Sequence, residues 1–258
     1  MVELINVYPA FLLILVRLSA FFITVPLFSY RTVPTFHKVG LAAALSLVVV
    51  TTLDFPIIPL DDRFLLLVIK ECLVGISMGL IAYIVIMAIQ IAGGLIDFQM
   101  GFAIANVMDP QTGAQSPITG QYLYIFALLF LLSTNGHHLL IDGVYHSYEV
   151  LKINELSFSV GTELFVTTII KTFSMMFLLA VQMSLPVVGA LFLVDIALGI
   201  VARTVPQLNI FVVGFPLKII VAFIFLIVVM GSMFYMMQLI FEYMLEAMRT
   251  MVHLLGGV

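Results

Sequence analysis

Long uncharged apolar runs dominate the chain, and their lengths set the elements it predicts. Three of them, Cys72 to Ile96, Thr172 to Val194 and Ile219 to Phe241, hold 25, 23 and 23 residues. At about 1.5 Å of rise per residue, a helix of that length crosses the ~30 Å hydrocarbon layer. Three further stretches are less regular. Leu4 to Tyr30 is interrupted by Arg17, and Val39 to Leu53 holds 15 uncharged residues. Tyr122 to Thr134 is shorter still, unless Ile118 and the residues up to Ile141 join it. The pattern predicts an all-α integral membrane protein of about six apolar helices, several of them interrupted. Short spans beside long ones fit a lipid-facing bundle poorly, so neighbouring subunits are expected to shield several helices. Turn chemistry falls at Asp54 to Pro59, at Asn135-Gly136 and from Pro206 to Pro216. No repeat or linker divides the chain, so residues 1–258 are expected to form one domain.

Between two of the apolar stretches lies Gly93 to Gln121, GGLIDFQMGFAIANVMDPQTGAQSPITGQ. It is rich in glycine and glutamine, carries Asp97, Asp109, Pro110 and Pro117, and has no lysine or arginine. Such punctuation breaks a continuous helix. Irregular backbone survives at membrane depth only where protein covers it or a watery cavity adjoins it. The stretch therefore predicts a passage or a gate, and Met100 and Met108, in and near its break, are candidate gate material.

Composition narrows the classes. Charged residues make up 9% of the chain and apolar ones 63%, where an ordinary soluble domain carries roughly 25% charge. The ten basic residues are scattered and the net charge is -4, which argues against nucleic acid. The single Cys72 lies in an apolar run and reads as a small buried hydrophobe. The N-terminus lacks a basic region ahead of its long apolar stretch, so a retained first span is expected and not a cleaved signal. The basic residues of alternate connections, Arg31, Lys38, Arg203 and Lys218 against Arg63, Lys152 and Arg249, lean toward both termini outside the cytoplasm.

Charges inside apolar segments are costly, at about 2.5–3.5 kcal/mol for a central Arg or Lys. Lys70 and Lys171, near span starts, are expected to snorkel to the interface. Arg17 stands 13 residues from either end of its segment and must meet an acidic side chain, carbonyls or another subunit. Gly75 and Gly79, four apart, allow close helix packing and suit a larger assembly. His138, Asp142 and His146 share one helical face in a spacing that zinc accepts, yet no fourth ligand is evident, and a polar helix start is the expected role. The methionines and phenylalanines are expected chiefly to pack. Glu242 to Val258 reads as an amphipathic helix, with Met244, Leu245, Met248 and Met251 opposite Glu242, Glu246 and Arg249, to lie on the interface or dock on a partner. No nucleophile elbow, zinc-protease helix or phosphate-binding loop is present, so neither catalysis nor a cofactor is expected.

Taken in order, several motifs resemble the FliR family of flagellar biosynthesis proteins, kin of the T-type export-apparatus subunit of injectisomes. They are Asp97-Phe98-Gln99-Met100-Gly101, Asp109-Pro110 with Gly113, Asn135-Gly136-His137 and Leu185-Pro186. Asp195 with Leu198-Gly199, Ala202-Arg203, Pro206-Gln207-Leu208-Asn209 and Val213-Gly214-Phe215-Pro216-Leu217-Lys218 complete the set. The resemblance covers nearly the whole length. It implies a core subunit of the flagellar type III export gate, multi-pass in the bacterial inner membrane within the flagellar basal body. It implies helical hairpins in a spiral with FliP-like and FliQ-like subunits, wrapped by an FlhB-like switch protein above an FlhA-like export protein. It also implies a pore plug near Val107 to Gly120, in which Met108, Asp109, Pro110, Gln111, Thr112 and Gly113 block ions until an unfolded export substrate displaces them. Arg17, Gly75, Gly79, Arg203, Pro206, Gln207 and Asn209 are the residues expected to pack subunits, with Arg203 to Lys218 forming a packing turn.

Three alternatives stand beside this reading. A small-solute or ion transporter would use the broken stretch as its binding site, but transporters of that kind show a matching break in a second half. An injectisome export subunit would share the same motifs. A metal-dependent intramembrane enzyme would need His138, Asp142 and His146 to act together.

Overall fold

The computed structural model describes residues 2–29, 33–53, 55–102, 117–156, 163–205, 207 and 209–257, the side chains of 2–6, 210 and 211 excepted. Among these residues all regular structure is helical, in eight segments: α1 Val2–Thr24, α2 Thr35–Thr52, α3 Asp62–Met100, α4 Ile118–Ser133, α5 Gly136–Val150, α6 Glu163–Thr204, α7 Ile210–Val228 and α8 Met230–Gly256. Four helices, α1, α2, α3 and α6, are long and apolar enough to cross a membrane. The total is six if α4 with α5 and α7 with α8 each count as one broken span. The all-α membrane protein expected from the apolar pattern is what the chain folds into.

The predicted runs sit inside longer or more broken elements than their uncharged limits suggest. Cys72 to Ile96 lies within the 39 residues of α3, and Thr172 to Val194 within the 42 of α6, where Pro186 is accommodated without ending the helix. Ile219 to Phe241 is not one rod. It is divided at Val229, between α7 and α8. Asn135 separates α4 from α5 as expected, with a left-handed φ of 58° that asparagine tolerates better than most residues. The turn expected from Pro206 to Pro216 is shorter than that, because α7 begins at Ile210 and takes Pro216 into its second turn.

The residues group into two compact units that interleave along the chain. The first comprises Met1–Ile86, Asn135–Phe173 and Glu242–Val258. Its core is Leu13, Phe21 and Phe22 of α1, Met78 of α3, Leu140 of α5 and Met248 of α8, all buried. Gly75 and Gly79 of α3 lie against α1: a Cβ at Gly75 would collide with the Arg17 carbonyl and one at Gly79 with Thr24. The amphipathic α8 end turns Met244, Met248 and Met251 inward and leaves Glu242, Glu246 and Arg249 exposed. Its apolar face is covered by the chain itself, with Gly256 against Val150 of α5, so neither the interface nor an outside partner is what it meets.

The second unit comprises Met87–Thr134 and Ser174–Phe241. Its core is Ile89, Ile96 and Met100 of α3, Leu123 and Leu131 of α4, Leu191 of α6 and Met237 of α8. Here α3 and α4 touch through glycine, since a Cβ at Gly93 would run into the backbone of Gly120 and one at Gly94 would press Pro117 at 3.3 Å. Gly101 ends α3 with φ 91°, a conformation only glycine adopts without strain.

Candidate functional site

The interruption expected between Gly93 and Gln121 is helical at both edges, as the last turns of α3 and the first of α4. Met108, Asp109, Pro110, Gln111, Thr112 and Gly113 lie outside the described residues, as does Pro206. What the described residues define are the feet from which the stretch departs and to which it returns, both in the second unit. Met100, expected at the gate, is fully buried at the end of α3. Phe98 beside it is 71% exposed.

The two feet are tied by a carboxylate. Asp97, in the last turns of α3 and 2% exposed, accepts the Thr119 N–H on Oδ2 at 3.0 Å and the Thr119 hydroxyl on Oδ1. The amino end of α4 offers no side-chain cap of its own, because its flanking residue is Pro117. Asp97 therefore caps α4 from a different helix. Its negative charge meets the positive end of the α4 dipole, where an anion is stabilised.

Gln99 leaves the same turn two residues on, about 200° around the helix at 100° per residue. Its Nε2 donates to Asp195 Oδ2 of α6 at 2.9 Å, and Asp195 Oδ1 pairs with the Lys218 Nζ of α7. Gly101 and Phe102 then rest on Phe215, with ring centroids of the two phenylalanines 6.2 Å apart. Residues spread from position 97 to position 218, Asp97, Gln99, Gly101, Asp195, Phe215 and Lys218, thus gather around one helix end. All six belong to the ordered motifs of the sequence, but nothing in their spacing shows that they meet. Thr119 carries no such signal, being a hydroxyl two residues after a proline.

The first unit holds a second polar centre. Arg17 is wholly buried. Its Nε and Nη2 donate to Glu71 at 2.5 and 3.0 Å, its Nη1 to Ser147 Oγ at 2.8 Å and its Nη2 to the Leu151 carbonyl at 2.9 Å. The guanidinium also stacks on the Tyr148 ring, 4.1 Å from its centroid. Lys70 does not snorkel. It is 4% exposed, pairs with Glu71 at 2.9 Å and donates to the carbonyls of Lys152 and Glu155 at 2.6 and 2.9 Å. Burial of one carboxylate between two cations is tolerable because nearly every donor has an acceptor. The partner of Arg17 is thus its own chain.

The remaining expected residues stand apart from these centres. Arg203 is exposed in the last turn of α6, and Gln207 and Asn209 are exposed in the connection to α7. Cys72 is half-buried and Lys171 exposed. His146 lies 3.7 Å from Asp142 and 3.2 Å from Glu149, all more than half exposed, where such pairs contribute little. Among the described residues no three His, Cys, Asp or Glu side chains converge as a metal site.

Comparison with known proteins follows the same residues. A model of the bacterial export proteins, family 1, matches residues 8–244. The flagellar biosynthetic protein FliR of Bacillus subtilis (strain 168) is 54% identical over 255 residues, 98% of each chain. That of Escherichia coli (strain K12) is 32% identical over 80% of this chain and 78% of its own. The Yop proteins translocation protein T of Yersinia pestis is 29% identical over 84% of each. The span pattern, the ordered motifs around the end of α3 and this near full-length match agree: the chain belongs to the bacterial export proteins, family 1.

Proposed function

We propose that this protein is a core subunit of the flagellar type III protein export gate, one that forms part of the export pore and plugs it at rest. The observation that carries this is the 54% identity, over 98% of both chains, to a relative named for flagellar biosynthesis. The 29% identity to a Yop translocation protein speaks for a shared export architecture but ranks behind it, so an injectisome role is the secondary reading.

The mechanism is gating without bond chemistry. Met108, Asp109, Pro110, Gln111, Thr112 and Gly113 block the pore against ions, and an unfolded export substrate displaces them. Glycine and proline allow that stretch more than one arrangement without breaking a helix. The partners are FliP-like and FliQ-like subunits in a spiral of hairpins, an FlhB-like switch protein and an FlhA-like export protein, in the inner membrane of the flagellar basal body. All 258 residues act as one export-gate domain within that assembly. Two features of the chain support burial by sister subunits. Only 17% of the most apolar part of α6 is covered within the chain, against 61% for α3. Exposed Phe177, Phe192 and Ile200 continue that uncovered surface along α6. Arg203, Gln207 and Asn209, at the α6–α7 connection, belong to the same subunit-packing role.

The test is dependence on partners. Expressed alone and extracted in detergent, the chain should aggregate or be degraded. Co-expressed with FliP-like and FliQ-like subunits, it should purify as a stable complex and restore flagella to a strain lacking it. A stable monomer that binds a small solute would instead support a transporter.

A further inference from the structure

We propose that the groove between α1, α2 and α5 is a binding site for a phospholipid with a primary-ammonium headgroup. The tail lies in the groove, the ammonium donates to Asp142, and the phosphate accepts from Tyr145 and His138. The site lies wholly within the first compact unit and is independent of the export reading.

The groove holds about 510 Å³. Leu18 of α1, Val49 of α2 and Tyr148 of α5 form a buried floor, and Leu45, Val48 and Leu139 line its open sides. One turn of helix, about 10 Å across and 5.4 Å long, fills roughly 400 Å³ on its own, so a partner helix enters by a single turn at most, whereas a flexible hydrocarbon tail can run the groove's length. Helices α1 and α2 are both apolar enough to cross a membrane, and only 17% of α2 is covered by the chain, so the groove opens on a face suited to lipid. Lipid tails are as apolar as leucine, so a tail gains little by leaving the bilayer for the groove, and selection among lipids falls to the head. His138, Asp142 and Tyr145 line the groove from α5, within about 60° of one another at 100° per residue, and His138 and Tyr145 stand about one turn to either side of Asp142. Among the described residues no lysine or arginine lines the groove, and Arg17, behind Tyr148, is buried and engaged by Glu71. With its histidines neutral the rim is therefore negative, from Asp142, and Glu149 adds a second carboxylate beside the same His146. Such a rim attracts a cation and opposes an anionic head. A primary ammonium has three N–H donors for a charge-assisted bond to the carboxylate, and a quaternary amine has none. The Tyr145 hydroxyl reaches Thr52 Oγ1 only at 3.4 Å, the long limit of a hydrogen bond, so it is free to turn to a phosphate oxygen. The spacing of His138 and Asp142, which builds no metal site among the described residues, thus serves a headgroup.

The test uses the full chain in its native membranes and three photoreactive phospholipids. They share one tail, with the reactive group at its end, and carry ethanolamine, choline or glycerol heads. Labelled peptides are mapped by mass spectrometry, and the amount of chain in the membrane is followed by blotting. The ethanolamine probe should label the peptides around Leu18, Val48 and Leu139 at least about fivefold more than the other two, as a charge-assisted bond to a half-exposed carboxylate allows. Asp142→Asn alters an exposed side chain and should bring the ethanolamine probe down to the level of the choline probe. Val48→Trp, which fills the groove from its open side, should lower labelling by all three. Equal labelling by the three heads would mean that bulk lipid covers the groove without selection. An ethanolamine preference that survives Asp142→Asn would mean that the head is read elsewhere. Either result overturns the proposal, as does Val48→Cys cross-linking to another polypeptide in place of lipid labelling, which would give the groove to a protein partner. If Val48→Trp lowers accumulation of the chain, the Asp142→Asn comparison decides alone.

Discussion

Arg17 shows how one buried charge dictates its surroundings. A guanidinium carries five N–H donors in a rigid fork, and removal from water requires acceptors for them. Glu71, Ser147 and the Leu151 carbonyl supply these, while Tyr148 covers the face. Removing one partner of such a pair strands the other, at a cost of about 3–5 kcal/mol. Arg17→Ala should therefore lower the thermal stability of the purified complex severely, as should Glu71→Ala. Replacing both at once, Arg17→Met with Glu71→Leu, should recover more stability than either single change, and Arg17→Lys should fall short because an ammonium cannot bridge the same fork. Additive losses in thermal unfolding would show that the pair is not coupled. Half of this centre was legible in the sequence. An arginine mid-span had to find acceptors, and it did. That they came from its own chain was not legible, because Glu71 and Ser147 lie 54 and 130 positions away and no local pattern links them. Lys70 misled for a related reason. A lysine near a span start has a cheap route to the interface, and Glu71 with the carbonyls after α5 makes burial the better choice.

Helices were read most reliably where the uncharged run was long and least reliably where they end. Asn135-Gly136 announced the break before α5 because asparagine accepts a left-handed backbone. Val229 announced nothing, being a β-branched residue within an apolar run. The extent of α3 beyond Gly93-Gly94 is similarly hidden, since two glycines that look like breakers are there to admit α4. Glycine at the element scale has two different meanings, and substitution separates them. Gly75 and Gly79 are pressed against α1, so Gly75→Leu should cost at least the 1–3 kcal/mol typical of overpacking and cut accumulation of the complex. A Cβ at Gly199 of α6 would meet no described residue beyond its own helix within 4 Å, and Gly199→Ala should hold or raise helix stability by about 0.5–1 kcal/mol. Accumulation in membranes, judged by blotting, separates the two. Tolerance of Gly75→Leu would contradict the close α1–α3 crossing, and loss of the complex on Gly199→Ala would place a partner backbone on that face.

At the scale of the whole molecule, the uneven burial of its helices and the near full-length likeness to flagellar export proteins belong together. A helix such as α6, whose most apolar part is little covered by the rest of the chain, makes sense in a chain built to be one member of an assembly. The class was legible early, because 63% apolar and 9% charged residues leave few alternatives to a membrane. The end of α3 and the start of α4 were legible as a position, the edges of a glycine- and proline-studded stretch between apolar helices. Their construction was not, since the ties at Asp97, Gln99, Asp195 and Lys218 exist only once four helices have met. The most direct test of the gate is resting conductance. With export blocked, membranes holding the complex that lacks residues 109–113 should pass ions far faster than those holding the intact complex, at equal amounts of assembled subunits. Equal conductance in the two would mean that the interrupted stretch does not close the pore.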